Sequence, residues 1–369
     1  MEPLRAREEA VEDIATQTTL FFPAAFQGMP ERVTQFPKFR YMGSKAKLLP
    51  WIHSVISKID FRSAWDPFAG SNAVAYLLKS MGKRVVASDF LNFPTVIGLA
   101  LIENPGKHLD GKTLKKILKT SNNSHHFIEK TFRDIYYTPD DLCFLDRIYH
   151  NIHLVSDPHL QAIAMTALLR ACLKKQPRGV FTITGDLSNY DDGRRDLRLS
   201  IEEHFLEQIG AIQSACFDNG HTNRSVRGNV FELGVQPVDL VYLDPPYVPR
   251  ADDNCYIKRY HFLEGLSCYW EGIEIDYSTK TKKIVKRHTP FSYRSEAVDA
   301  FTRLFHAFRT KKIVLSYSSN GFPDLQVLER LMKRYKGSVR TFSKNHRYHF
   351  GTHSNVTRAD TVEYLIVGQ

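Results

Sequence analysis

The sequence predicts an α/β protein whose central sheet is interrupted by a long, mainly helical segment. Strand and helix patterns alternate between residues 39 and 89, and amphipathic helical patterns dominate residues 92–225. Short apolar runs, which are typical of buried strands, return after residue 237. We therefore expect a main domain from residues 37–91 and 226–369, a helical insertion at 92–225 and an N-terminal arm at 1–36.

The individual elements follow from hydrophobic periodicity. In the first part of the main domain the sequence predicts a helix at 48–59, a strand at 63–66, a helix at 73–81 and a strand at 84–88. In the insertion, amphipathic stretches predict helices near 113–119, 127–136, 142–151 and 160–174. Three further strands are predicted at 238–243, 312–316 and 362–367, and a short helix in the arm at 6–16.

Composition and charge restrict the class of function. The 369 residues are 43% apolar, which is typical of a globular protein with a sizeable core. The net charge of +10 favours a polyanionic partner such as nucleic acid. No run of about 18 apolar residues occurs and the N-terminus has no apolar signal segment, so we expect neither a membrane span nor secretion. Five cysteines without a Cys-x-x-Cys pair predict free thiols in a reducing cytoplasm and no metal site.

The most informative stretch is Asp244-Pro245-Pro246-Tyr247, which follows the predicted strand 238–243. Prolines cannot donate to a strand ladder and turn the chain out of the sheet. The carboxylate and the ring should therefore lie at the carboxyl edge, where open α/β sheets bind ligands. Asp244 and the Pro245 carbonyl can accept hydrogen bonds, Pro246 stiffens the loop, and Tyr247 offers a stacking face. A strand followed by an ordinary Pro-Pro turn is the alternative.

A second ligand-binding junction is predicted at residues 66–73, Asp-Pro-Phe-Ala-Gly-Ser-Asn-Ala. It follows a strand and opens a helix, and its small residues allow a ligand to approach the backbone. A nicotinamide dinucleotide site would need three glycines, and only Gly70 is present. Asp89 ends the next predicted strand, where an acid can bind both hydroxyls of a ribose, although helix capping is its alternative role. Phe90 can cover one face of an adenine.

Two weaker segments flank these junctions. The first contains Tyr41, Gly43 and Lys45 in Phe-Arg-Tyr-Met-Gly-Ser-Lys, which by itself also suits a basic turn before a helix. The second, Gly-Asn-Val-Phe, contains Asn229 and Val230 and precedes the strand 238–243. Their positions relative to the two junctions favour a ligand-binding role for both segments.

Together, these segments resemble the motifs of alpha-ordered, Dam-like N6-adenine DNA methyltransferases of the D12 class, in the same order along the chain. The resemblance covers roughly residues 39–90 and 226–270. It implies a Rossmann-like, S-adenosylmethionine-dependent methyltransferase sheet and a target-recognition role for the insertion. It assigns catalysis to Asp244, Pro245, Pro246 and Tyr247. It assigns the cofactor S-adenosylmethionine to Tyr41, Gly43, Lys45, Asp66, Phe68, Gly70, Asp89, Phe90, Asn229 and Val230.

Two positions depart from the family pattern. Asn72 replaces a glycine, and although Asn tolerates left-handed backbone geometry, close contact with the cofactor there is in question. Asn229 replaces an acid that binds the cofactor's adenine amine, although its amide oxygen is also an acceptor. Lys45 is implied to pair with the methionine carboxylate of the cofactor, and Tyr41 to pack beside it.

The expected reaction is direct transfer of a methyl group to N6 of an adenine flipped out of duplex DNA. Asp244 and the Pro245 carbonyl would accept hydrogen bonds from the amine, and Tyr247 would stack on the base. The resemblance also predicts a cytoplasmic protein of bacterial, archaeal or phage origin, either an orphan methylase or one with a cognate restriction endonuclease.

Basic residues in and after the insertion form a predicted DNA-binding surface. Arginine can bind guanine or phosphate through its forked guanidinium, although for any single residue a solvated charged surface is the simpler interpretation. The predicted contacts are Lys174, Lys175, Arg178, Arg194, Arg195, Arg198 and Arg227. A further basic stretch at 280–287 suits the DNA backbone on the other side.

Three alternatives stay open at the level of sequence. RNA N6-adenine methylation uses the same tetrapeptide. N4-cytosine methylation is chemically close, but its motif usually begins with Ser. A catalytically inactive DNA-binding relative is a third possibility, which the intact Asp66, Asp89, Asp244 and Tyr247 disfavour.

Overall fold

The central sheet has the α/β architecture that the sequence predicts. The structure is a computed structural model that describes residues 28–120, 125–177, 179–182, 193–249, 256–347 and 360–369. Within these ranges seven strands form one sheet in the order β10-β11-β8-β4-β1-β2-β3. They are β1 (Ser63–Asp66), β2 (Arg84–Asp89), β3 (Arg224–Arg227), β4 (Leu240–Leu243), β8 (Lys312–Ser318), β10 (Val339–Arg347) and β11 (Asp360–Gly368). The two-stranded pairs are β5 (Val248–Pro249) with β9 (Gly321–Phe322), and β6 (Ile275–Asp276) with β7 (Lys283–Ile284).

Helices cover the sheet and fill the segment between β2 and β3. Before β2 lie α1 (Leu49–Ile56) and α2 (Ala73–Ser80). Between β2 and β3 lie α3 (Asn92–Gly98), α4 (Gly111–Leu118), α5 (Phe127–Thr131), α6 (Pro139–His153), α7 (Pro158–Lys175), α8 (Arg195–Arg198) and α9 (Ile201–Ala215). After β4 lie α10 (Tyr256–Leu266), α11 (Arg294–Ala307) and α12 (Leu325–Lys333).

Strand direction brings several chain segments to one edge of the sheet. β1 pairs in parallel with β2 and β4, and β2 pairs in parallel with β3. β11 is antiparallel to both of its neighbours, β8 and β10. The carboxyl ends of β1, β2, β3 and β4 therefore lie together, and Asp66, Asp89 and Arg227 are the last residues of three of these strands.

The two faces of the sheet are both buried, which explains the continuous apolar runs of its strands. In β4, Leu240 and Tyr242 belong to the core on one face, whereas Val241 and Leu243 belong to the core on the other. This alternation is the two-residue period of a strand. Because β4 is anchored on both faces, the chain that leaves it at Asp244 starts from a fixed position.

Most predicted elements are present, and the differences have local causes. The predicted strand 63–66 matches β1, and the predicted helices near 142–151 and 160–174 are parts of α6 and α7. The helix predicted at 127–136 ends at Thr131, and Asp134 has a left-handed φ of 59°. The strand β3 was not predicted. It begins at Arg224, within the predicted insertion, and its sequence Arg-Ser-Val-Arg has little apolar content.

None of the helices in the described ranges is long and apolar enough to cross a membrane. The His, Cys, Asp and Glu side chains of these ranges form no group of three suited to a metal ion. Four of the five cysteines lie in the described ranges, and all four are free thiols.

Candidate active site

The turn between β1 and α2 is shaped by two residues with left-handed backbone. Gly70 has a φ of 48° and Asn72 a φ of 62°. The loop therefore keeps the expected conformation with Asn in place of glycine, since Asn adopts this region more readily than most residues. The Asn72 side chain is fully buried and donates to the carbonyls of Gly70 (3.3 Å) and Pro94 (2.8 Å). It ties the turn to α3.

Limited space disfavours a side chain at Gly70, in addition to its left-handed φ. A Cβ on this residue would lie 3.0 Å from Cε1 of Tyr41. The Gly70 N–H donates to Oδ2 of Asp89 at 2.9 Å, and the Leu91 N–H donates to Oδ1 at 3.0 Å. Asp89 thus joins the turn after β1 to the end of β2, and its carboxylate can accept more bonds than these two.

Burial controls the protonation of these acids. Asp66 is 2% exposed, and burial raises its pKa well above the usual range, with a further increase from the nearby charge of Asp244. Burial also raises the pKa of Asp89 to about 7, although the N–H groups of Leu91 and Gly70 oppose the change. Both acids therefore lie in an environment where a positive charge would be favourable.

Asp244 forms an ion pair with Lys45. The Lys45 Nζ lies 2.8 Å from Oδ2 of Asp244 and donates to the Gly43 carbonyl at 3.2 Å. Lys45 is buried, at the start of a short 3₁₀ turn (Lys45–Lys47) in which the Ser44 hydroxyl accepts from the Ala46 N–H. Burial raises the pKa of Asp244 and Lys45 lowers it, so the lysine favours the ionised carboxylate.

Tyr41 is fixed by aromatic contacts from a distant part of the chain. Its ring stacks on Tyr260 of α10 with centroids 4.9 Å apart and 13° between the planes. The Tyr260 hydroxyl accepts a hydrogen bond from the Met42 N–H at 2.6 Å, and Phe93 packs against both rings. The segment before α1 is thereby held against the helix that follows the Asp-Pro-Pro-Tyr motif.

These segments enclose one cleft at the carboxyl edge of the sheet. The empty space within it is about 620 Å³, including the part open to solvent. It is lined by predicted residues from four separate segments: Tyr41, Gly43, Lys45, Asp66, Phe68, Gly70, Asp89, Phe90, Asp244 and Pro246.

A comparison with known protein families agrees with the cleft and the sheet. The model of the D12 class N6 adenine-specific DNA methyltransferases matches residues 41–319. The chain belongs to this family. As a methyltransferase of the D12 class, it acts on adenine in DNA.

Curated relatives of this methyltransferase are similar over most of its length. The type II methyltransferase M2.HphI of Haemophilus parahaemolyticus is 28% identical over 346 residues, which are 90% of this chain and 98% of the relative. M.NlaIII of Neisseria lactamica is 22% identical, with 80% of this chain and 88% of the relative covered. M.FokI of Planomicrobium okeanokoites is 24% identical over 84% of this chain but only 50% of the relative.

Four of the predicted catalytic and cofactor-binding residues of the methyltransferase do not line the cleft. Asn229 and Val230 follow β3; the Asn229 oxygen accepts from the Phe231 N–H at 3.1 Å, and Val230 is buried in the core. Pro245 is buried, and Tyr247 packs on Tyr317 with centroids 5.3 Å apart. Their predicted roles in binding and catalysis stay predictions.

The predicted DNA-binding residues of the methyltransferase differ in how they are paired. Lys174 pairs with Asp196 (3.2 Å), Lys175 with Asp141 (2.5 Å), Arg195 with Glu207, and Arg227 lies 3.6 Å from Glu264. Arg194 and Arg198 donate to the carbonyls of Pro177 and Gly193. Arg178 lies outside the described residues.

The residues around the cleft of the methyltransferase that were not predicted include Tyr242, Tyr260 and Glu264. Tyr242 lines the cleft, two residues before Asp244, a spacing that places both on one side of a strand. Tyr260 supports Tyr41, and the fully buried Glu264 accepts from the N–H groups of Asn92 (2.7 Å) and Phe93 (3.2 Å). The lone acid within Phe-Leu-Glu-Gly-Leu is a signal that could have revealed Glu264.

Proposed function

We propose that this methyltransferase uses S-adenosylmethionine, bound in the cleft, to methylate N6 of an adenine flipped out of duplex DNA. One observation carries the proposal. Residues that were predicted for this role from four separate segments line a single cleft beside Asp244. The basic net charge of the chain is in keeping with a DNA substrate.

The charges around the cleft suit this cofactor. Three carboxylates (Asp66, Asp89 and Asp244) accompany one ammonium group, that of Lys45. S-adenosylmethionine has a sulfonium and an ammonium group against one carboxylate, and when bound it supplies an electrophilic methyl group. Burial raises the pKa of each of the three acids, so a cationic ligand would stabilise their ionised forms.

The residues of the cleft fit separate parts of this ligand. Asp89 has lone pairs for ribose hydroxyls, and Gly70 leaves the backbone accessible. Phe68 and Phe90 provide apolar walls. Lys45 lines the cleft, so a methionine carboxylate bound there would lie beside its positive charge, as the sequence predicts.

Catalysis is assigned to the Asp-Pro-Pro-Tyr motif. In its ionised form Asp244 accepts a hydrogen bond from the adenine amine, as does the Pro245 carbonyl, and these bonds favour a pyramidal nitrogen whose lone pair can attack. The ion pair with Lys45 orients Asp244 and favours its ionised form. Tyr247 gives a flipped base a stacking surface.

Tritium transfer from methyl-labelled S-adenosylmethionine tests the proposal. Wild-type protein should label duplex DNA, with label recovered as N6-methyladenine, and not ribosomal RNA. The Asp244→Ala variant should bind S-adenosylmethionine in calorimetry and show transfer reduced by at least 10²-fold. Full transfer by this variant would contradict the catalytic assignment, and preferential labelling of RNA would favour the alternative substrate.

Two further proposals concern the biological setting. The type II methyltransferases among the relatives support a restriction-modification role, with a cognate restriction endonuclease as a possible companion. Cytoplasmic location stays a prediction from the sequence.

A further inference from the structure

Two arginines share one buried carboxylate oxygen beside the cleft. Nη2 of Arg227 lies 3.6 Å and Nη1 of Arg287 lies 3.5 Å from Oε1 of Glu264. Glu264 is fully buried, whereas the arginine side chains are 41% and 35% exposed. The two guanidinium groups therefore lie close together at the surface, with one carboxylate between them.

The carboxylate does not satisfy the hydrogen-bonding capacity of this arginine pair, Arg227 and Arg287. Both distances are longer than a normal hydrogen bond, and Oε1 of Glu264 has no hydrogen-bond partner among the described residues. Within the same ranges neither guanidinium has a side-chain hydrogen bond to another group. Two positive charges against one negative charge leave a net charge of +1 and up to ten N–H donors from two planar forks.

The position of the pair relates it to the reaction. Arg227 ends β3 and is in register with Asp89 of β2. Oε2 of Glu264 binds the first turn of α3, directly after Phe90 and Leu91, which line the cleft. Arg287 follows the β6–β7 pair and closes the basic stretch 280–287. The pair is thus connected through one side chain to the wall of the cleft.

We propose that Arg227 and Arg287 form a phosphate-binding site for the DNA backbone and that Glu264 is the positioning residue that holds the two guanidinium groups together. Forked, always-charged guanidinium groups match the oxygens of a phosphodiester. A bound phosphate would supply the second negative charge that the pair lacks. Glu264 would also couple this contact to α3 and to the adjacent wall of the cleft.

This inference rests on the proposed function, because it assumes duplex DNA at the carboxyl edge. The competing explanation is structural: the arginines only neutralise the buried carboxylate. The two explanations differ in the salt dependence of DNA binding, since each phosphate contact releases counterions and contributes about −0.9 to the slope of log K against log salt.

The test measures binding of a fluorescent random-sequence duplex by anisotropy at several salt concentrations. Arg227→Ala and Arg287→Ala should each weaken binding and reduce the slope, by at most about one, because both arginines contact the same phosphate. Arg309→Ala is the matched control: it removes an exposed arginine that precedes β8, at the opposite edge of the sheet, and should leave the slope unchanged.

Removing both arginines leaves Glu264 buried without compensation, which is destabilising. A second comparison avoids this problem by using Glu264→Gln as the background. The triple variant Arg227→Ala, Arg287→Ala, Glu264→Gln should bind with a slope about one smaller than Glu264→Gln alone, because one phosphate contact is lost. Equal slopes in this comparison would overturn the phosphate site whatever the effect on thermal stability.

Methyl transfer separates the two proposals. If the wild type transfers no methyl group to DNA, the proposed function fails. If it transfers methyl groups normally while the arginine variants keep the wild-type slope and the wild-type KM for DNA, only the phosphate site fails. An increased KM for DNA with unchanged affinity for S-adenosylmethionine supports the site.

Discussion

Lys45 and Asp244 show how one ion pair can set the chemistry of a buried site. Burial raises the pKa of Asp244, and a protonated carboxyl group would be a poorer acceptor for the adenine amine. The ammonium group at 2.8 Å favours the ionised form. Because the two residues lie about 200 positions apart in the sequence, no local pattern could have predicted this contact.

Removing the lysine should move the acid limb of the pH–rate profile. If Asp244 acts as proposed, activity requires its ionised form and is lost as the pH falls through the pKa of this group. Without Lys45 that pKa rises further, and the acid limb of kcat should move to higher pH in Lys45→Met.

Lys45→Arg is the control because it retains the positive charge. Its acid limb should stay closer to that of the wild type. An acid limb unchanged in Lys45→Met, measured under saturating DNA and cofactor, would exclude this role for the ion pair.

At the scale of elements, the turn between β1 and α2 is the part of the site that local sequence describes best. The strand and helix on either side were predicted within one residue of their bounds, because both have clear hydrophobic periodicity. The left-handed residue Asn72 keeps the turn in shape. The direction of its side chain, toward Pro94 and away from the cleft, depends on α3 and could not be derived from the turn alone.

Gly70→Ala tests the turn as a cofactor-binding element. An alanine at a φ of 48° has a strain of about 1–2 kcal/mol, and its Cβ would press on the Tyr41 ring. The dissociation constant of S-adenosylmethionine should rise about tenfold or more, equivalent to about 1.4 kcal/mol, in isothermal titration calorimetry.

Gly82→Ala separates strain from contact. Gly82 has a φ of 72°, and a Cβ there would meet no atom within 4 Å. This variant should lose similar stability, measured by urea unfolding, and bind the cofactor as the wild type does. Equal weakening of binding in both variants would show that general destabilisation, and not the turn, is responsible.

Other elements escaped prediction for physical reasons that differ from case to case. The helix α9 has a capping box between Ser200 and Glu203, a local signal that could have been used. The strand β3 has no comparable signal, because only Val226 is apolar. Its extended form depends on its pairing with β2 at the edge of the sheet. Long-range pairing therefore determines the strand conformation of β3 and the position of Arg227.

At the scale of the whole molecule, net charge overstates the basic surface that is available to DNA. Lys175 is 13% exposed and pairs with Asp141, which is 3% exposed. Asp141 also accepts from the Ile201 N–H at 2.7 Å, so this contact joins the end of α7 to the starts of α6 and α9. Arg198, in contrast, is exposed and forms no ion pair with a carboxylate in the described ranges.

The pairing predicts that two basic residues of the same region affect different properties. Lys175→Met leaves the Asp141 carboxylate buried and uncompensated, so the free energy of unfolding should fall by about 3–5 kcal/mol in urea titrations. Arg198→Ala should leave stability within about 0.5 kcal/mol of the wild type, because a surface substitution removes no buried partner. If Arg198 contacts DNA as predicted, its removal should weaken duplex binding and reduce the salt slope by about one. The opposite pattern, with stability lost in Arg198→Ala and unchanged in Lys175→Met, would mean that burial does not distinguish structural from DNA-binding charge in this protein.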